Sequence, residues 1–207
     1  IVHMITLIDF GVGNIFAFQN VYKRLDIPTK IAKTAADLED AQKLILPGVG
    51  AFDYAMEQLN SSGMRHKLDE LVLEKKIPII GICVGMQMMG NRSDEGISEG
   101  LKWIDADILK FDESLIQQRT KLPHMGWNDV SPIDGHPLFE GLEQDAIFYF
   151  LHSYFFKCNN AEDSIAISDY GTPFTSAVNA DNVYGIQFHP EKSHQYGEKL
   201  LHNFAKL

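Results

Sequence analysis

The chain has 207 residues, of which 45% are hydrophobic and 22% are charged. That balance is typical of a globular domain with a substantial core, and it excludes a disordered or collagen-like chain. With 28 acidic and 18 basic side chains the net charge is −10. Such a surface repels phosphate backbones and anionic lipid, so we expect neither nucleic acid nor a membrane as a partner.

The two cysteines, Cys83 and Cys158, are too few for a disulfide framework and favour a reducing, cytoplasmic location. The sequence has no apolar run of the ~18 residues that span a membrane, and its first residues lack the basic segment of a signal peptide. We expect one domain over residues 1–207, with residues 1–3 a cloning remnant and Met4 the native start.

Strand-like and helix-like patterns alternate through the first half of the chain. Short apolar runs predict strands, and apolar residues at helical spacing predict helices. The predicted strands are Met4–Asp9, Thr29–Ala32, Lys43–Leu46 and Ile77–Ile82, and the predicted helices are Ile15–Leu25, Phe52–Leu59, Met64–Lys75 and Val84–Met89. This alternation predicts an α/β fold with a mostly parallel sheet flanked by helices.

The second half is rich in strands and closes with a helix around Tyr196–Phe204. It could extend the parallel sheet or form a small antiparallel one. The strands predicted there are Trp103–Phe111, Ala146–Phe150, Ser164–Ser168, Phe174–Val178 and Val183–Phe188.

Cys83 lies in a G-x-C-x-G motif, Gly81 to Gly85, between a buried strand and a predicted helix. The glycines permit the sharp turn of a nucleophile elbow, and the helix N-terminus supplies N–H groups and partial positive charge that favour a thiolate. Taken alone, the motif is equally compatible with a buried structural cysteine.

A histidine and a carboxylate, His189 and Glu191, follow a predicted strand two residues apart. In an extended chain these side chains point the same way, so Glu191 can hold one ring nitrogen of His189 while the other faces a thiol. The alternatives are solvated side chains or a metal site of His189, Glu191 and His194. The latter lacks the usual helical ligand pattern, so we expect no metal and no cofactor.

These motifs resemble those of the class I glutamine amidotransferases over nearly the whole chain, and within that family those of the glutaminase subunits of imidazole glycerol phosphate synthase. The elbow and the His-Pro-Glu segment are shared across the family, and two other segments point to this branch. The motifs in chain order are PGVG at 47–50, GICVGMQ at 81–87, PHMGWN at 123–128, HSY at 152–154 and HPEKS at 189–193.

The resemblance implies that Cys83 attacks the side-chain amide of glutamine, that His189 protonates the departing ammonia, and that Glu191 orients His189. It places the second oxyanion donor in the PGVG loop, at Val49 and Gly50. Val84 supplies the first donor by its position at the start of the helix. The glutamine-binding residues that it implies are Gln87, Glu95, His152, Ser153 and Tyr154.

Ammonia must reach an acceptor before water protonates it, and the glutaminase domain uses the whole chain, so we expect the acceptor site in another polypeptide. The family's partner is a (β/α)8-barrel cyclase of histidine biosynthesis, which implies a heterodimer and activation of glutamine hydrolysis by that partner. The expected partner-facing residues are Asn14, Met125, Trp127 and Asn128. A core position for Trp127 remains an alternative.

Three other functions stay open at this point. A paralogous glutaminase could feed a synthase that installs amidino groups on surface sugars. A cysteine peptidase or esterase could use the same elbow, and a binding module could lack activity, although the complete triad argues against the last.

Overall fold

The computed structural model describes residues 3–207. The expectation that residues 1–3 are a cloning remnant therefore falls, for Ile1 and Val2, outside the described residues. The helices are α1 (Ile15–Arg24), α2 (Phe52–Ser61), α3 (Arg65–Asp69), α4 (Val84–Met88) and α5 (His194–Lys206). The strands are β1 (Ile5–Ile8), β2 (Thr29–Ala32), β3 (Lys43–Gly48), β4 (Ile79–Cys83), β5 (Arg92–Ser93), β6 (Ala106–Lys110), β7 (His124–Asp129), β8 (Ser131–Pro132), β9 (Ile147–His152), β10 (Tyr154–Cys158), β11 (Ser164–Asp169), β12 (Pro173–Ala180) and β13 (Val183–Ile186).

The predicted parallel sheet is confirmed. Neighbouring strands run in the order β2-β1-β3-β4-β13, and each pair is parallel. Every residue of β1, β3 and β4 is buried, as expected for apolar strands covered on both faces. The sheet is flanked by helices, with α1 packed near α5 and α2 against α4.

The strand-rich second half extends this same sheet. Strand β12 pairs antiparallel with β13, and the order continues through β10 and β6 to β5. A separate antiparallel ribbon consists of β7 and β9, with His124 opposite His152. This ribbon places the PHMGWN segment beside the HSY segment.

The prediction for the second half missed two of its longer strands and began a third one too early. Strands β7 and β10 were not predicted, because a glycine, a proline and an aromatic cluster obscure their alternation. The strand predicted from Trp103 begins at Ala106, since the N–H groups of Trp103 and Ile104 donate to the carbonyl of Met89 and complete the turn after α4.

Helix α5 is tied to the centre of the sheet by a buried lysine. The ammonium group of Lys43 donates to the carbonyl oxygens of Phe204 at 3.0 Å and Ala205 at 2.9 Å. Burial lowers the pKa of Lys43 to about 8. A cation at the last carbonyls of a helix satisfies acceptors that the helix itself leaves free.

In the part of the chain that the structure describes, no helix combines the length and the apolar character needed to cross a bilayer.

Candidate active site

Cys83 ends strand β4, and helix α4 begins at the next residue. Its backbone has φ 56° and ψ −114°, which is unusual for a residue other than glycine. Such strain persists where the surrounding structure enforces it, and it is common at nucleophile elbows. A Cβ atom at Gly85 would collide with the backbone of Leu46, so the turn needs a glycine there.

His189 and Glu191 form a short contact behind the elbow. The His189 Nδ1–H donates to Glu191 Oε1 at 2.6 Å, and both side chains are only 4% exposed. The expected extended geometry was wrong, because β13 ends at Ile186 and the segment Pro190–Lys192 forms a 3-10 turn. Proline fixes φ at the first position of that turn, and the turn still brings the carboxylate to the ring.

The other side of the His189 ring faces the Cys83 thiol. Burial by itself would lower the pKa of His189, but the hydrogen bonds to Cys83 and Glu191, together with their charges, outweigh it and raise that pKa to about 10. The ring is therefore protonated at neutral pH. It can donate a proton, and a positively charged imidazole is the counter-ion that a thiolate nucleophile needs.

A cavity of about 340 Å³ opens over Cys83. This volume is within the usual range for a small-molecule site. Ten of the predicted site residues line it, whereas Glu191 lies behind His189. The ten are Val49, Gly50, Cys83, Val84, Gln87, Glu95, His152, Ser153, Tyr154 and His189, and the lining also includes Pro123, Leu151 and Lys192.

The predicted oxyanion donors directly follow two neighbouring strands, β3 and β4. Gly48 is paired with Cys83 in the register of β3 and β4, so Val49 and Gly50 follow beside the nucleophile. Strand β3 continues two residues beyond its predicted end at Leu46, to Gly48. Gly50 has φ 86°, a conformation that favours glycine. Val84 is the first residue of α4, where an N–H has no partner within the helix.

Glu95 presents a carboxylate to the cavity from a restrained loop. Its Oε2 accepts from the Phe52 N–H at 3.3 Å. Burial raises the pKa of Glu95, and the charge of Asp53 raises it further against the opposing hydrogen bond from Phe52. The loop itself is held by Asp53, whose carboxylate accepts from the Ile97 and Ser98 N–H groups at 2.9 and 3.0 Å.

The four predicted partner-facing residues lie outside this cavity. Met125 and Trp127 are 65% and 44% exposed on β7, and Trp127 stacks on the ring of His194. Asn14 is exposed and caps α1 by accepting from the Ala17 N–H at 3.2 Å. Asn128 is half-buried and donates to the Asp169 carbonyl at 2.8 Å, so its amide is used inside the chain.

Sequence reasoning assigned no role to Gln187 or His124, although His124 lies in the PHMGWN motif and Gln187 in a predicted strand that leads to His189. The Gln187 amide N–H points to Cys83 Sγ at 3.8 Å, and the His124 ring contacts His152 at 2.9 Å. Gln187 follows β13 directly and precedes His189 by two residues, so its place in the predicted strand Val183–Phe188 was the available signal. For residues 3–207, no three His, Cys, Asp or Glu side chains are grouped as a metal site requires.

Comparison with known proteins gives consistent results. The family model described as glutamine amidotransferase class-I matches residues 6–207. A relative from Bdellovibrio bacteriovorus, named imidazole glycerol phosphate synthase subunit HisH, is 54% identical over 99% of this chain and all of its own. A protein of the same name from Leptospira interrogans is 48% identical over the same shares.

Solved structures share the fold at low sequence identity. The structure of PurLQS from Thermotoga maritima superposes with a TM-score of 0.75 at 14% identity, covering 100% of this chain and 99% of that one. The glutaminase domain of CTPS from Trypanosoma brucei gives 0.63 at 14% identity, covering 99% and 94%. The family-model match and the full-length relatives show that the chain belongs to the class I glutamine amidotransferase family, in the branch of the imidazole glycerol phosphate synthase HisH subunits.

Proposed function

We propose that this chain is the glutaminase subunit of an imidazole glycerol phosphate synthase, which hydrolyses glutamine to glutamate and passes ammonia to a cyclase of histidine biosynthesis. The observation that carries the proposal is the run of contacts from Cys83, at the cavity, through His189 to the Glu191 carboxylate behind it. Full-length relatives at about half identity carry the name of that subunit.

The chemistry follows from this contact. The Cys83 thiolate adds to the amide carbon of glutamine, and a tetrahedral oxyanion forms. His189 gives its proton to the nitrogen, the C–N bond breaks, and ammonia leaves behind a glutamyl thioester. The neutral ring then takes a proton from water, whose oxygen attacks the thioester and releases glutamate and the thiolate. Glu191 fixes the ring and stabilises its charged form.

The oxyanion requires N–H donors already in place. The Val84 N–H at the start of α4 is one donor, and the backbone of Val49 and Gly50 provides the other. A carboxylate at Glu95 suits the α-ammonium group of glutamine. The cavity also presents Gln87, and the HSY segment of His152, Ser153 and Tyr154, to the rest of the substrate.

The partner is a (β/α)8-barrel cyclase that forms a heterodimer with this chain. Ammonia is lost once it is protonated in water, so the exit from the cavity must be covered. The exposed side chains of Met125 and Trp127, with Asn14 and Asn128, provide the surface for this contact. Phe16, two residues after Asn14 in the chain, is 69% exposed on α1, and we include it in this partner-facing surface.

The decisive experiment measures glutamate release by this chain alone and with purified cyclase and its nucleotide ligand. We expect slow hydrolysis alone and stimulation by the liganded cyclase. Stimulation only by a sugar-amidinating synthase would instead identify the paralogous function. Cleavage of peptides or esters without release of ammonia would contradict the glutaminase assignment, and so would a chain that stays inactive with every partner.

A further inference from the structure

A pair of buried histidines separates the catalytic cavity from a second cavity. His152 lines the catalytic cavity, and His124 lines a neighbouring one of about 300 Å³ that also touches Trp127, Asn128 and Tyr170. The two residues are directly opposite in the β7–β9 ribbon, and their rings meet with His124 Nδ1 2.9 Å from His152 Nε2. Both residues are less than 7% exposed.

The proton positions in this pair follow from one backbone carbonyl. His152 Nδ1 lies 2.8 Å from the Tyr154 oxygen, which can only accept, so Nδ1 carries the hydrogen. In a neutral ring Nε2 must then accept, and His124 Nδ1 must donate to it. The remaining His124 Nε2 accepts from the Asn128 side-chain amide at 3.3 Å.

Burial favours these neutral forms. It lowers the pKa of His124 to about 4, and it lowers that of His152 to about 3 with help from the positive charges of His124 and His189. The three hydrogen bonds therefore run in one direction. Asn128 donates to His124, His124 donates to His152, and His152 donates to the carbonyl of Tyr154, so each bond fixes the direction of the next.

The same carbonyl orients a second branch that ends at the nucleophile. The Gln87 amide donates to the Tyr154 oxygen at 3.2 Å and to Gln187 Oε1 at 3.0 Å. With its oxygen held in this way, Gln187 must turn its N–H toward Cys83 Sγ, 3.8 Å away. Gln87 and Gln187 are 2% and 0% exposed, so water offers no alternative partner.

We propose that Gln187 is a further catalytic residue of the glutaminase and His124 a positioning residue: the network centred on the Tyr154 carbonyl holds the Gln187 amide so that its N–H stabilises the Cys83 thiolate. His124 acts at a distance, by holding His152 in the tautomer that donates to Tyr154. This inference deepens the proposed function, because it concerns how the nucleophile of that reaction is held ready.

The test is the pH dependence of alkylation of Cys83 by iodoacetamide, read by mass spectrometry in a Cys158→Ala background. It needs neither glutamine nor a partner, so a chain that fails as a glutaminase can still pass. The titratable groups that face the sulfur and the cavity are His189, with Glu191 behind it, and Glu95, His152, Tyr154 and Lys192 at the lining. They stay unchanged in every variant.

Gln187→Met removes the N–H and keeps the volume. We expect the pH of half-maximal alkylation to move upward by about one unit, as for loss of one hydrogen bond to a charged group. A residue that only fills space would change the rate by the same factor at every pH, and an unchanged midpoint would overturn the proposal.

His124 offers a matched pair of variants. The side-chain nitrogen of His124→Asn occupies the place of Nδ1 and can still donate to His152, whereas His124→Leu cannot. We expect His124→Leu to shift the midpoint in the same direction by a smaller amount, and His124→Asn to restore it. Thermal unfolding checks that both variants are folded. If folded His124→Leu and His124→Asn show the same pH profile of alkylation, His124 has no part in the network.

Discussion

Two buried histidines line the same cavity, and their pKa values are shifted in opposite directions. The pKa of His189 is raised to about 10, and that of His152 is lowered to about 3. Burial lowers the pKa of both. The difference lies in their partners, because His189 contacts a thiol and a carboxylate, whereas His152 contacts a carbonyl and another imidazole.

The comparison shows that enclosure makes an imidazole neutral unless an acidic partner is enclosed with it. One region of the cavity is thus built for proton transfer, and the other for fixed orientation. The following experiments change the partners and ask whether the titration changes with them.

Removal of the nucleophile should have the largest effect. We expect Cys83→Ala to lower the rate of glutamate release by on the order of 10⁴-fold or more, since the covalent route needs the sulfur. The His189 pKa should also fall, because one of its two acidic partners is gone. Glutamate assays with the activating partner and NMR titration of the ring check both effects, and substantial residual turnover would contradict the mechanism.

Replacement of the carboxylate should rank next. In Glu191→Gln the shape is kept and the negative charge is lost, so we expect kcat to fall by on the order of 10³–10⁴-fold. The pKa of His189 should move down toward that of an ordinary histidine. Glu191→Asp retains the charge and serves as the control, and an unchanged ring titration in Glu191→Gln would show that the carboxylate is not the deciding partner.

The two cysteines extend the comparison to thiols. Burial, with the nearby charge of Asp163, raises the pKa of Cys158 to about 12. We therefore expect an electrophilic glutamine analogue or iodoacetamide to label Cys83. Cys158 should react roughly 10³-fold more slowly than an ordinary thiol does at pH 8. Peptide mass spectrometry over time checks this, and comparable labelling of both residues would contradict it.

A carboxylate placed beside His152 should raise its pKa, as Glu191 helps to raise that of His189. In His124→Asp a carboxylate oxygen takes the place of His124 Nδ1, 2.9 Å from His152 Nε2. We expect the His152 pKa to rise by roughly 1–3, whereas the isosteric His124→Asn should leave it low. NMR titration of the two variants decides, and the same low value in both would mean that burial alone governs this ring.

The smallest effect concerns stability against pH. His124 and His152 are neutral in the fold, so stability should fall below about pH 6.5, where the unfolded rings bind protons, and level off near pH 4 and 3. The contribution of His189 has the opposite sign: it is present below about pH 6.5 and is lost as the pH rises through about 10. Each slope is about 1.4 kcal/mol per pH unit at most. Urea unfolding across this range, with His124→Asn as the comparison, measures them.

The sequence was sufficient to predict the elbow and the parallel sheet, because both depend on local spacing. Gly81, Cys83 and Gly85 stand at fixed offsets after an apolar strand, and His189 lies close to Glu191 in the chain. The sequence could not predict the histidine pair, because His124 and His152 meet only through the register of a ribbon that contains an unpredicted strand. The direction of the Gln187 amide depends on a carbonyl 33 residues away in sequence.

The elbow also limits how this site can change over evolutionary time. Added Cβ atoms at Gly48 and Gly81 would meet the backbone of α4, and one at Gly85 would meet the backbone of β3. Larger residues there cannot be accommodated by moving a side chain. Substitutions at these three positions should therefore disturb the backbone that presents Cys83, whereas the exposed side chains of the β7–β9 ribbon can change without moving it.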